Sequence, residues 1–94
     1  MTPPDEAMER EWVRLAQAGD AEAYGLLVAR YQRSVYNIAY RLSGDLQEAE
    51  DVAQEAFVRA FRGLTGFDLA QPFAPWLCRV ATNTALNWLK RRRP

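Results

Sequence analysis

Two short interruptions constrain this chain more than anything else in it. Gly19-Asp20 and Ser43-Gly44-Asp45 each break a run of apolar residues recurring at threes and fours. Gly ends one helix and Asp caps the next, because a left-handed terminal residue suits Gly and a short carboxylate can accept from exposed amides. The spacing therefore predicts a helix over about 6–18, a second over about 21–42 and a third over about 46–64, after a tail at 1–5. In the first, Met8, Trp12, Val13, Leu15 and Ala16 are apolar. The second carries Tyr24, Leu27, Val28, Tyr31, Val35, Ile38, Ala39 and Leu42 as a core stripe. The third carries Ala49, Val52, Ala53, Ala56, Phe57, Ala60, Phe61 and Leu64, its alanines permitting close helix approach. The tyrosines at 24, 31, 36 and 40 are expected at the core and its rim, with hydroxyls toward water. Arg30, Arg33 and Arg41 are expected on a solvated face.

The last stretch, PFAPWLCRVATNTALNWLKRRRP, reads as a fourth helix over 73–93, reached through a loop at 65–72. Pro72 and Pro75 suit its first turn. Wound at about 100° per residue, Phe73, Leu77, Val80, Ala81, Thr84 and Trp88 fall together as a core stripe. Trp76, Arg79, Asn83, Asn87 and Lys90 fall on another side. An aromatic, amides and cations in one row suit a nucleic-acid strand: cations meet phosphates, an aromatic stacks on a base and amides read base edges. The alternatives are plain ones: Trp76 as a half-buried packing residue, Asn83 as a surface amide, and the terminal arginines as a solvated tail. No strand pattern is present, so the expected architecture is all-α, a single domain of about four helices with short connections.

Opposite the third helix's stripe lie Asp51, Gln54, Glu55 and Val58, at i, i+3, i+4 and i+7. Two acids, an amide and an exposed Val resemble any solvated face, but the Val tilts the patch toward a protein contact. The net charge is zero, yet it is segregated: five acids and no cation from Asp45 to Glu55, five cations and no acid from Arg79 onward. Such asymmetry suggests two partners of opposite charge. The chain has no His and one Cys. That removes an internal disulfide, ordinary zinc sites and His-based catalysis, and Cys78 reads as a small buried hydrophobe. No acid, base and nucleophile can be assembled, so an enzyme is not expected, and nothing points to a cofactor. MTPPDEAMER lacks a signal peptide's apolar core and no run approaches a membrane span, so the expected compartment is the cytoplasm.

These residues carry a family resemblance. AQAGDAEAYGLLVARYQRSVYNIAYRLSGD (16–45), AEDVAQEAFVRAF (49–61) and GLTGFDLAQPFAPWLCRVATNTALNWLKRRR (63–93) resemble, in order and spacing, the second conserved region of bacterial sigma factors of the extracytoplasmic-function class. The resemblance implies a transcription initiation factor that binds core RNA polymerase and opens the minus-ten promoter element. Asp51, Gln54 and Glu55, with Val58, would dock on the clamp helices of the polymerase β′ subunit. Phe67, Asp68, Trp76, Arg79, Asn83, Asn87, Lys90 and Arg91 would meet promoter DNA, with Gly66 to Gln71 shaping a pocket for an everted non-template base and Lys90 to Arg93 on duplex phosphates. An anti-sigma factor is a further partner that the family implies. Pro75 and Cys78 depart from the residues frequent in the family. The family's helix-turn-helix domain for the minus-thirty-five element does not follow RRRP, so an isolated domain is expected. The competing function is a sigma-like interaction module that binds polymerase or an anti-sigma factor without DNA; such a module has no need of the Trp76–Arg79–Asn83 row.

Overall fold

The computed structural model describes residues 4–92. Four helices form: α1 (Pro4–Gln17), α2 (Ala21–Ser43), α3 (Leu46–Gly63) and α4 (Phe73–Arg92), with one 3-10 turn, Leu64–Gly66. α2 is the central element and packs on α1, α3 and α4, while α3 also packs on α4. The fold is elongated, 48 × 22 × 21 Å. Among the described residues no helix is long and apolar enough to cross a membrane.

Both punctuation signals act as their chemistry requires. After α1, Gly19 takes φ 102°, its N–H donates to Ala16 O at 3.0 Å, and Asp20 N–H donates to Leu15 O at 3.0 Å. This pair of bonds satisfies two terminal carbonyls. Asp20 Oδ1 then accepts from the N–H groups of Glu22 and Ala23 at 3.0 and 3.1 Å. Gly44, at φ 73°, closes α2 through its N–H to Tyr40 O at 2.8 Å. Asp45 opens α3 by accepting from Glu48 N–H at 2.9 Å.

The main core joins Val13, Leu27, Val35, Ala53, Ala56, Ala60, Leu64, Phe67, Phe73, Leu77 and Ala81. A second cluster, Ala39, Ala49, Val52 and Ala85 with Tyr36 and Trp88 packed on it, fastens the far ends of α2, α3 and α4. Alanines at these crossings let the helix backbones approach closely. Thr84 is fully buried in α4. Its hydroxyl donates to Val80 O at 2.7 Å, which removes the cost of burying it.

Several expectations are corrected. α1 starts at Pro4, so the tail expected at 1–5 is already helical from residue 4; Pro at a first helical position lacks only an N–H that would be unpaired anyway. Residues 1–3 of that tail lie outside the described residues. Phe61, assigned to the core stripe of α3, is 42% exposed, tilted against Tyr24 with ring centroids 4.9 Å apart. Cys78 is half-buried rather than buried. Arg30 is not merely solvated: its Nε lies 3.4 Å from Glu9 Oε1 and its Nη2 3.9 Å from Asp5 Oδ2. The segment after α3 is no plain loop. Gln17 Nε2 donates to Leu64 O at 3.1 Å and to Phe67 O at 2.8 Å, tying the turn back to α1.

Candidate nucleic-acid and protein interfaces

α4 turns its candidate strand-binding row outward. Arg79, Asn83, Asn87 and Lys90 are all exposed along it, while Phe73, Leu77, Ala81, Thr84 and Ala85 are buried on its core side. The division follows from the 3.6-residue period: once the apolar stripe is sunk against α2 and α3, the row has nowhere to point but water. Among the described residues Arg79 and Lys90 have no ion-pair partner, so their charge is available to an external anion.

Trp76 does not stand in that row as a bare platform. It is half-buried, its ring 5.0 Å from Phe67 and 5.7 Å from Phe73 between centroids, and one edge lies over Gly63. Phe67 is only 7% exposed and meets Phe73 edge-on at 5.8 Å. Phe67 is therefore no open platform for a strand: most of its ring packs on Phe73 and Trp76, and what remains borders the adjoining cavity. Asp68 is exposed, and its Oδ1 accepts from Ala70 N–H at 2.9 Å, which fixes the local turn.

Phe67 and Phe73, but not Trp76, border a cavity of about 410 Å³. Phe67, Leu69, Gln71 and Phe73 line it on one side, and Glu9 of α1 with Arg30 and Tyr31 of α2 on the other. The Tyr31 hydroxyl donates to Glu9 Oε1 at 2.5 Å. Burial first, then the Glu9 carboxylate, pushes the Tyr31 phenol well above its ordinary range. Burial alone pushes Tyr24 up to about 12, and its hydroxyl donates to Phe57 O.

The α3 patch is only partly open to solvent. Gln54 is exposed, Val58 is 48% exposed, and Asp51 and Glu55 are half-buried. Gln54 also borders a groove between α2 and α3 of about 670 Å³, walled by Val28, Gln32, Tyr36 and Phe57. The groove and the patch make one surface with apolar walls and polar edges, a composition that suits a protein contact.

The charge segregation proves partly internal. Arg91 Nη2 donates to Glu55 Oε2 at 3.2 Å, and Arg59 Nη2 lies 3.1 Å from the same oxygen. Arg92 pairs with Glu48. Arg91 also lies over the Trp88 ring, 5.8 Å from its centroid. A residue expected on DNA thus holds a residue expected on polymerase. Arg93 lies outside the described residues.

Leu86 was not singled out from the sequence. It is 43% exposed and lies three residues after Asn83 and four before Lys90, in the middle of the outward face. Winding the helix would have placed it there; only its apolar nature argued for the core. Glu9, Arg30 and Tyr31 were missed for a different reason, since they meet residues 67–73 only through the tertiary fold.

Residues 27–94 match the family model described as Sigma-70 region 2. The ECF RNA polymerase sigma factor SigW of Bacillus subtilis is 36% identical over 95% of this chain and 48% of its own length. The ECF RNA polymerase sigma-E factor of Escherichia coli is 45% identical over 87% of this chain and 44% of its own. The chain thus spans about half the length of the curated relatives it matches. Among solved structures, an engineered region 2 of sigmaE in complex with GTAAAA superposes with a TM-score of 0.82 at 43% identity, covering 89% of this chain and 87% of that one. CnrH in complex with the cytosolic domain of CnrY gives 0.80 at 31% identity, covering 92% of this chain and 56% of that one. With the matched region running from within α2 through α4, the chain belongs to the sigma-70 region 2 family.

Proposed function

We propose that this domain docks on core RNA polymerase through α3 and captures non-template bases of the minus-ten promoter element along α4. The observation that carries the reading is the outward row of Arg79, Asn83, Asn87 and Lys90 on α4, in a fold whose engineered sigmaE counterpart was solved in complex with GTAAAA. Arg79 and Lys90 bind phosphates, which contributes affinity but no sequence information. Asn83 and Asn87 offer amide donors and acceptors to base edges. Trp76 acts chiefly by packing, with its exposed edge toward the strand. The cavity between Phe67–Phe73 and Glu9–Tyr31 takes an everted base: it has aromatic walls for the ring and polar groups for its edge. Evicting a base from the stack costs a few kcal/mol, and stacking of about 1–3 kcal/mol per base offsets it.

On α3, Asp51, Gln54, Glu55 and Val58 meet the clamp helices of the β′ subunit. Charged groups at such a rim set orientation and association rate more than affinity. The domain works in the cytoplasm, where polymerase and promoter are, and binds rather than catalyses.

A second reading adds a protein partner. The CnrH structure holds the cytosolic domain of CnrY, which favours an anti-sigma factor as an additional occupant of this fold.

Fluorescence-anisotropy titration of labelled single strands tests the DNA assignment. Minus-ten-like oligonucleotides, GTAAAA among them, should bind more tightly than scrambled ones, and Asn83→Ala should erase that preference. Equal binding to every sequence, unaffected by Asn83→Ala, would leave only the interaction-module reading.

A further inference from the structure

Resting on that reading, a further property follows from the ion pairs between α3 and α4. Glu48 and Glu55 lie seven residues apart on one face of α3, with Asp51 between them. The last turn of α4 delivers Arg92 to the first and Arg91 to the second. The second core cluster, Ala39, Ala49, Val52 and Ala85 beneath Trp88, fixes this crossing, and Trp88 supports Arg91 from below. The helix ends therefore meet because the core sets their spacing, not because two flexible side chains found each other. Glu55 is further held by Arg59, so two guanidiniums converge on one carboxylate.

We propose that the α3 carboxylates act as an internal competitor for DNA phosphate, holding the basic end of α4 neutralised until a partner engages α3. Arg91 can serve Glu55 or a phosphate, and Glu55 can serve Arg91 or a donor on the docking partner. A partner that draws Glu55 and Glu48 into its own contacts releases Arg91 and Arg92 for the promoter duplex. Binding at α3 and phosphate binding at α4 then favour each other, and by linkage the factor is the same in both directions. Arg79, Asn83 and Lys90 lie outside this arrangement, so strand capture does not depend on it. Each exposed pair is weak on its own, so the coupling is a bias on DNA affinity rather than a lock.

The test is a titration of a labelled duplex of scrambled sequence into the 94-residue chain at two salt concentrations. Glu48→Gln/Glu55→Gln keeps the shape and mimics the partner-engaged state. It should tighten duplex binding by about 3–10-fold and steepen the salt dependence by about one to two in log–log slope, as one or two more phosphates are neutralised. Glu22→Gln/Glu50→Gln removes the same two charges at exposed sites that have no ion pair among the described residues. It should give a much smaller gain. In an Arg91→Gln/Arg92→Gln background the gain from Glu48→Gln/Glu55→Gln should vanish. Arg91→Gln/Arg92→Gln should also tighten binding to core RNA polymerase in the absence of DNA. A gain no larger than that of Glu22→Gln/Glu50→Gln, or one that survives without the arginines, overturns the proposal. Loss of the Asn83-dependent sequence preference with this coupling intact would instead overturn base capture alone.

Discussion

Asn83 and Trp76 sit on the same helix, and their environments assign them opposite roles. Asn83 is exposed, so Asn83→Ala should leave the melting temperature within about 4 °C, in line with small surface effects of about 0.5 kcal/mol, while reducing single-strand selectivity. Trp76 is packed on Phe67 and Phe73. Trp76→Ala should therefore lower stability by about 2–3 kcal/mol before any effect on DNA is read, and Phe67→Ala by about 3 kcal/mol, both measurable by denaturant titration. Tyr24 gives a pH prediction. Burial raises its hydroxyl from 10.0 to about 12, so the unfolded chain loses this proton first as pH rises. The associated stability is complete below about pH 10 and is lost between about 10 and 12; Tyr24→Phe should flatten that part of the curve. Tyr31 shifts in the same direction, so some alkaline loss persists in the single variant. At this scale the exposed members of the α4 row were legible because a helix exposes what its stripe does not bury. Phe67 was not, because an aromatic between polar loop residues gives no local sign of which ring it will meet.

The helices themselves were legible in the two Gly-Asp signals, since each residue satisfies a local backbone requirement. Gly44→Ala should destabilise by about 1–2 kcal/mol, as the left-handed φ of 73° sets Cβ against the carbonyl; a shift in the urea midpoint would measure it. The α3 patch was legible as a face, but not as a face already in use. Its spacing put Asp51, Gln54, Glu55 and Val58 together, whereas the approach of Arg91 and Arg92 depends on the α3–α4 crossing, which no local pattern encodes. Replacing Asp51, Gln54 and Glu55 together by Ala should weaken binding to core RNA polymerase while the helical circular-dichroism signal and its thermal transition persist. Undiminished binding would remove this face from the interface. The segment 64–72 was the least legible element. Its order comes from Gln17 capturing two of its carbonyls, a contact across about fifty residues of chain.

As a whole, the molecule sets two surfaces on one rigid scaffold: a groove and acidic patch along α2 and α3, and a cationic, amide-bearing row on α4 with a cavity at its start. The zero net charge conceals this arrangement, and part of the apparent segregation is spent in ion pairs between the two surfaces. In the proposed function, nucleic acid meets α4 and the cavity, and polymerase meets α3. Amide chemical-shift mapping of the isotope-labelled chain tests it most directly, with a minus-ten-like single strand in one titration and a peptide of the β′ clamp helices in the other. The strand should shift Arg79 to Lys90 and the cavity lining at Tyr31 and Leu69–Phe73, while the peptide should shift Asp51 to Val58 and the groove at Gln32 and Tyr36. Strand-induced shifts centred on the α3 patch, with Asn83 and Asn87 unmoved, would contradict it.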